Sequence, residues 1–423
     1  MLLAAGVVII VAMAYALIKQ YETKAVLFAG GLLMACIAGQ PLLPLITFSK
    51  SMTQHKVFEI IIAAMAFASV VKLTQCDKHL IAIFVKVLKR MGPFLIVGVA
   101  VATTIVNSSI PSAAGTSAAV GTVLIPLLIS SGVPAPLAAG AVLCGLYGGN
   151  LNPGHVHPTI VAQLAGKTGM DFVSLVAFPL IGSVVVASTV LMLIAFWMRK
   201  KNALSPAESV EAMEAADFGP DFRLNPFLAI LPLLPLILLM LGNTSVPLLK
   251  MPVSHAMIIG SLVCMLATRT SPASVSKAFF KGMGDSFGSI FGLIVCANIF
   301  VAGMQALGLI KALIDLMITS PAIAKIAAIV GPFMITILSG SGEAVTIAFN
   351  NAVSVHANQF GMEVMNMGAM TVLSGGIGRS TSILSACTIV CAGIAKVSPL
   401  DIIKRTWPAM VAALIFAAIT LDF

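Results

Sequence analysis

The chain has 423 residues, 59% of them apolar and only 9% charged, and its mean hydropathy is +1.08. Soluble domains carry about 25% charged residues, so no water-soluble fold could hide this much apolar surface. The net charge of +9 comes from basic residues scattered at the ends of apolar runs. That pattern argues against a nucleic-acid partner and for membrane topology.

Apolar windows of about 20 residues, the length that crosses a bilayer core, recur along the whole chain. Leu2 to Ile18 lacks a basic leader and a small-residue cleavage site, so it reads as a first span. Ala25 to Thr47 and Phe58 to Thr74 follow. Pro93 to Ser131 carries the polar cluster Asn107 to Ser117 at its middle, where a simple span has none, and reads as a re-entrant hairpin. Pro134 to Lys167 is an apolar run broken by Gly148 to Pro158, and Phe172 to Met198 closes the first half. Residues 199–225 form the longest polar stretch, a solvated cytoplasmic linker.

The second half repeats the plan. Spans are expected at Pro226 to Gly242, Val253 to Thr268 and Gly282 to Met304, then a hairpin at Ala324 to Gln359 with Ser339 to Glu343 at its tip. A broken Gly361 to Lys396, interrupted at Gly375 to Ser382, and a last span at Ile402 to Leu421 complete it. One ungapped offset of 227 pairs Ser112 with Ser339, Gly115 with Gly342, and Gly148-Gly149 with Gly375-Gly376. The expected fold is therefore an all-α polytopic membrane protein with two halves, 1–198 and 226–423. Each half has five spans plus one re-entrant hairpin, with broken helices at the midplane, and the odd number of crossings inverts the second half relative to the first.

Orientation follows from the basic residues. With both termini outside, sixteen of the 24 Lys and Arg fall on inner loops and ends, six fall outside, and Lys72 and Arg379 lie within the membrane. That asymmetry is what the positive-inside rule requires. Lys72, near the end of its span, reads as a snorkelling anchor. The seven cysteines lie mostly in apolar runs without ligand spacing, so they read as small core residues rather than as a metal or disulfide framework.

Irregular backbone at membrane depth is tolerated only where protein or a water-filled cavity satisfies it, so the polar clusters must face one another. Half-helix N-termini there can hold a carboxylate, and freed carbonyls and hydroxyls can hold a cation. The alternative is that Gly and Ser merely allow close helix contacts. Arg379 is too deep to snorkel and needs a partner: either a substrate carboxylate gripped in bidentate fashion or an ion pair with Glu343. Glu343 could cap its half-helix or carry a proton. His155 and His157, two apart and flanked by Pro153 and Pro158, are expected in extended backbone, as anion ligands or as packed polar groups.

Several of these stretches resemble one family. Ala25 to Met34, Gly282 to Phe287, Ser339 to Gly342, Gly378-Arg379-Ser380 and Ala395 to Thr406 are similar to the DcuC family of anaerobic C4-dicarboxylate carriers, within the ion transporter superfamily. The resemblance covers essentially the whole chain and is strongest after Gly282. It implies exchange or efflux of succinate, fumarate or malate across a bacterial inner membrane, coupled to a cation, by a protein commonly dimeric. Two departures stand out: the family pattern has Asn at the position of Glu343, and lacks His155 and His157. They leave the exact anion and the coupling ion open, and citrate, gluconate or an amino acid is the alternative cargo.

Candidate ligands of the anion are Ser109, Ser112, Asn150, Asn152, His155, Ser339, Ser341, Arg379, Ser380 and Thr381. A coupling proton would sit on Glu343. A coupling sodium ion would take oxygens of Ser112, Ser339, Gly149 and Gly376. No other cofactor is expected, and no catalytic constellation accompanies the His pair: there is no HExxH and no phosphate-binding glycine loop after a strand.

Overall fold

The computed structural model describes residues 2–19, 21–53, 55–110, 112–201, 222–244, 246–319 and 321–421. Most of the expected linker 199–225, and Pro111 at the first hairpin tip, lie outside them. Among the described residues every regular element is helical.

In the first half the helices are α1 (Leu2–Ile18), α2 (Thr23–Ile37), α3 (Leu43–Ser51), α4 (His55–Leu73), α5 (Cys76–Leu88), α6 (Leu95–Ser109), α7 (Ala113–Ser130), α8 (Ala135–Gly145), α9 (Val156–Leu164) and α10 (Gly169–Lys201). The second half holds α11 (Pro226–Ile230), α12 (Leu234–Thr244), α13 (Val253–Thr268), α14 (Pro272–Ser286), α15 (Gly292–Ala306), α16 (Leu309–Thr319), α17 (Pro321–Ser339), α18 (Gly342–Ala352), α19 (Val364–Ser380), α20 (Ala386–Ala395) and α21 (Pro399–Thr420). A π-helical turn, Phe287–Phe291, joins α14 to α15 into one long element, so the span expected from Gly282 begins earlier, at Pro272.

Among the described residues, six elements are long and apolar enough to cross a bilayer, and a seventh crossing arises if α4 and α5, bent by 71° at their junction, count as one. Ten spans were expected, two of them broken. Besides the short α8, α9 and α20 of the broken stretches, α1, α2 and α13 are apolar but shorter than the 18 residues of a full crossing. Each arm of the first hairpin, Gly92–Ser109 and Ala113–Ser130, is by itself long enough to cross.

The largest apolar core joins α6, α7 and α8 with α10, α19, α20 and α21, for example through Leu143, Leu180, Leu373 and Met410. A second core joins α2, α4 and α15 through Met34, Phe58 and Ile294. In lipid the gain from such packing is dispersion and close approach rather than water exclusion, so small residues mark the contacts. Five cysteines are buried as expected of small core residues, but Cys36 is exposed on α2.

Two expectations about breaks are corrected. Gly375 to Ser380 is not irregular: α19 runs through it as regular helix and ends only at Thr381. The glycines serve close packing instead. A Cβ at Gly378 would stand 2.7 Å from the Phe333 carbonyl of α17, and one at Gly375 would collide with the Thr346 hydroxyl of α18. The glycine that does break its hairpin is Gly340, whose φ of +72° is left-handed and where a Cβ would come within 2.8 Å of the Leu384 backbone. The second correction concerns the histidines: His155 is extended (φ −72°, ψ 154°), but His157 lies in the first turn of α9.

Candidate functional site

Three chain breaks and the last turns of α19 meet at one point. The end of α6 and start of α7 contribute Asn107 and Ala113. The turn after α8 contributes Leu146, Tyr147, Gly149 and Asn150, and the start of α9 contributes His155 and His157. The start of α18 adds Gly342, and α19 adds Gly376 and Arg379. Together they line a cavity of about 10 Å³, close to the roughly 10–15 Å³ that a single water requires.

Asn107 fastens the first hairpin to the broken helix. Its Oδ1 accepts from the Gly149 N–H at 2.7 Å, while its Nδ2 donates to the Ile110 carbonyl and to the Thr116 hydroxyl, both at 3.1 Å. Asn152 works the same joint, donating from Nδ2 to the Ser108 carbonyl at 2.8 Å and accepting from the Gly154 N–H at 2.8 Å. These amides stand in for the helical hydrogen bonds that the breaks remove.

Arg379 lies in the last turn of α19 with its side chain 13% exposed. One guanidinium nitrogen, Nη2, donates to the Leu146 carbonyl at 2.8 Å, and Nη1 stands 4.0 Å from the Glu343 carboxylate. Its Nε is buried without a partner. A guanidinium has five N–H donors in a fixed fork, so this one retains capacity for an anion. The approach of α18 is possible because position 342 is glycine, where a Cβ would meet Arg379 Cβ at 3.1 Å.

Among the described residues, nine buried side-chain polar atoms have no hydrogen-bond partner, and four of them belong to this cavity: Tyr147 Oη, Asn150 Oδ1, His155 Nδ1 and Arg379 Nε. Buried polar groups are nearly always satisfied in native proteins, so such a concentration marks a place where a bound water or a ligand would complete the bonding. The two imidazoles lie 5.2 Å apart, centroid to centroid, and are tilted by 58°. With Arg379 they give a lining rich in donors, suited to a small anion.

The structure brings Gly149, Asn150, His155, Gly376 and Arg379 together around this cavity, with Glu343 at its edge. It places the other candidates differently. Ser109 donates to the Ile105 carbonyl and Ser112 caps α7 by accepting from the Gly115 N–H. Thr381 donates to the Ile377 carbonyl, while Ser380 is buried with an unpartnered hydroxyl outside the cavity lining. Ser339 and Ser341 line a separate apolar cavity of about 310 Å³ between α1, α2, α15, α17 and α18. Ser341, not Glu343, takes the N-cap position of α18, and Glu343 lies in its first turn, 32% exposed.

Asn107, Tyr147 and Gly342 line the cavity without having been among the candidate ligands, and His157, expected as an anion ligand or a packed polar group, lines it beside His155. Tyr147 had a visible signal, since it is a lone tyrosine at the edge of the first broken stretch.

A family model described as C4-dicarboxylate anaerobic carrier, DcuC, matches residues 1–422. A chain of Haemophilus influenzae known only as an uncharacterized transporter is 34% identical over 281 residues, covering 64% of this chain and 99% of its own. The anaerobic C4-dicarboxylate transporter DcuC of Escherichia coli K12 is 24% identical over 452 aligned positions, covering 99% of this chain and 95% of its own. Among solved structures, MtrF of Neisseria gonorrhoeae superposes with a TM-score of 0.64 at 13% identity, covering 89% of this chain and 82% of that one. At that identity the likeness speaks to fold alone: a polytopic membrane-transporter architecture.

Proposed function

The chain belongs to the DcuC family of anaerobic C4-dicarboxylate carriers, and from that membership we propose that it is a secondary carrier moving succinate, fumarate or malate across the cell inner membrane by alternating access. The observation that carries the reading is Arg379, held at the meeting point of both hairpin tips with an unpartnered Nε in a donor-lined cavity. A carboxylate there would gain charge-assisted hydrogen bonds in a site sheltered from water. The cavity of about 10 Å³ is several times too small for a four-carbon diacid, so the elements around it must separate to admit one. Such separation, alternately toward either side, is what a carrier requires.

The inverted repeat belongs to the same proposal. Shifted by 227, α6 falls on α17, the start of α7 on α18, α8 on the start of α19, and α9 on α20, which supports two structurally equivalent halves. Lys167 and Lys250, two of the six basic residues expected outside, line one cleft of about 540 Å³, which supports their lying on the same side. We read the termini as outside and the molecule as a homodimer.

For coupling we favour a proton on Glu343. Its carboxylate lies 4.0 Å from Arg379, so it and a substrate carboxylate compete for one cation, whereas of the four residues whose oxygens a sodium ion would take, only Gly149 and Gly376 line the cavity and the hydroxyl-bearing Ser112 and Ser339 do not. Counterflow in proteoliposomes tests the function: labelled succinate should accumulate against unlabelled succinate, fumarate or malate. Counterflow with citrate, gluconate or an amino acid alone would replace the diacid as cargo.

A further inference from the structure

We infer that Tyr147, with Asn150 and His155, forms a second pole of the cavity that reads the distal carboxylate of a diacid, which makes Tyr147 a specificity-determining residue. The inference rests on the reading that an anion binds at Arg379.

Three tyrosines occur in the chain. Tyr15 and Tyr21 are 61% and 66% exposed, while Tyr147 is 1% exposed in the cavity wall. It follows directly on Leu146, whose carbonyl holds the Arg379 guanidinium, so the chain that anchors the first pole also delivers the ring of the second. Across from it, α19 gives up a side chain: a Cβ at Gly376 would come within 3.0 Å of Tyr147 Cβ. The ring is therefore seated by a glycine facing it, and its place is fixed by backbone packing.

The polar groups of the cavity fall into two sets. Asn107 has both ends of its amide bonded and holds the hairpin to the broken helix. Tyr147 Oη, Asn150 Oδ1 and His155 Nδ1 have no partner in the protein. A phenol is a hydrogen-bond donor, an imidazole donates from Nδ1 in one tautomer, and an amide can turn to present its NH2. Such a set suits a carboxylate, and it is distinct from the arginine that takes the first one. A monocarboxylate of the same length would satisfy Arg379 and leave this pole unpaired, and sites built to bond a polar group reject analogues that lack it.

The test is Tyr147→Phe, which keeps the ring against Gly376 and removes only the hydroxyl. With a melting temperature near that of the wild type, KM for succinate in counterflow should rise about tenfold or more. Vmax should be kept, and inhibition by butyrate should not change. Gly376→Ala, which keeps the hydroxyl but pushes the ring, should lose the same succinate-to-butyrate preference. Equal weakening of both anions, or no change in either, would overturn the inference. Should Tyr147→Phe not fold, difference absorption of the tyrosine band in the wild-type protein decides it: succinate should perturb the band and butyrate should not, and identical spectra would overturn it. If the carrier proves to move citrate instead, the function assigned above fails, while this inference still requires Tyr147→Phe to weaken citrate relative to butyrate.

Discussion

The Arg379 guanidinium donates to the carbonyl of Leu146 at 2.8 Å, which ties the last turn of α19, in the second half of the chain, to the carbonyl where α8 stops in the first. The contact spends one donor, leaves Nε unpaired, and fixes the fork at the junction of the two halves. A helix that ends at membrane depth leaves carbonyls without intrahelical partners, and here an arginine supplies one.

Arg379→Ala should abolish succinate exchange in a protein that still elutes as a single detergent-solubilised species. Hydrogen bonds to charged groups contribute about 1.5–3 kcal/mol each, so losing two would cost on the order of 100-fold or more in affinity. Arg379→Lys should rescue poorly, because an ammonium cannot reproduce the planar fork. Near-normal affinity in a folded Arg379→Ala carrier would show that the guanidinium does not bind the anion.

Asn107→Ala should lower thermal stability more than it changes anion selectivity. It removes the acceptor of the Gly149 N–H at 2.7 Å and the donor to Ile110 and Thr116, leaving buried groups unpaired at about 1–3 kcal/mol. The check is the melting temperature in detergent, with and without succinate. A wild-type melting temperature would mean that this joint contributes nothing to the fold.

Glu343→Gln should keep substrate-for-substrate exchange, which needs no net proton movement, and lose accumulation driven by a pH gradient. If Glu343 only stabilises the first turn of α18, glutamine should leave coupling intact, with a stability change of about 0.3–1 kcal/mol. Separate proton and sodium gradients across proteoliposomes distinguish these outcomes. A sodium requirement in both wild type and variant would remove Glu343 from the coupling step.

Topology predicts labelling. Cysteines introduced near Lys250 and Lys311 should react with an impermeant reagent in intact cells, and one near Lys200 should not. Reaction near Lys200 would contradict the inverted arrangement.

Composition and apolar windows made the membrane class and most helix positions legible, because lipid leaves helices as the natural solution for such a chain. The polar clusters located the site region, and Arg379 stood out as a charge at depth. The geometry of the breaks was less legible. Gly375, Gly376 and Gly378 look like helix breakers in one dimension, yet they are contact points against Thr346, Tyr147 and Phe333 on other segments. Gly340, by contrast, does turn the chain, with φ at +72°. Only the partner segment tells the two roles of glycine apart. For the same reason Asn152 reads as a ligand in the sequence, while in the fold both ends of its amide are consumed at the joint with Ser108 and Gly154.

Diacid transport through Arg379 is tested by solute counterflow with the purified protein in proteoliposomes, following labelled succinate into vesicles preloaded with one unlabelled anion at a time. Transient accumulation is expected with succinate, fumarate or malate inside, and its loss in Arg379→Ala. Accumulation that occurs with none of these diacids, or that survives in a folded Arg379→Ala protein, would contradict diacid transport through Arg379.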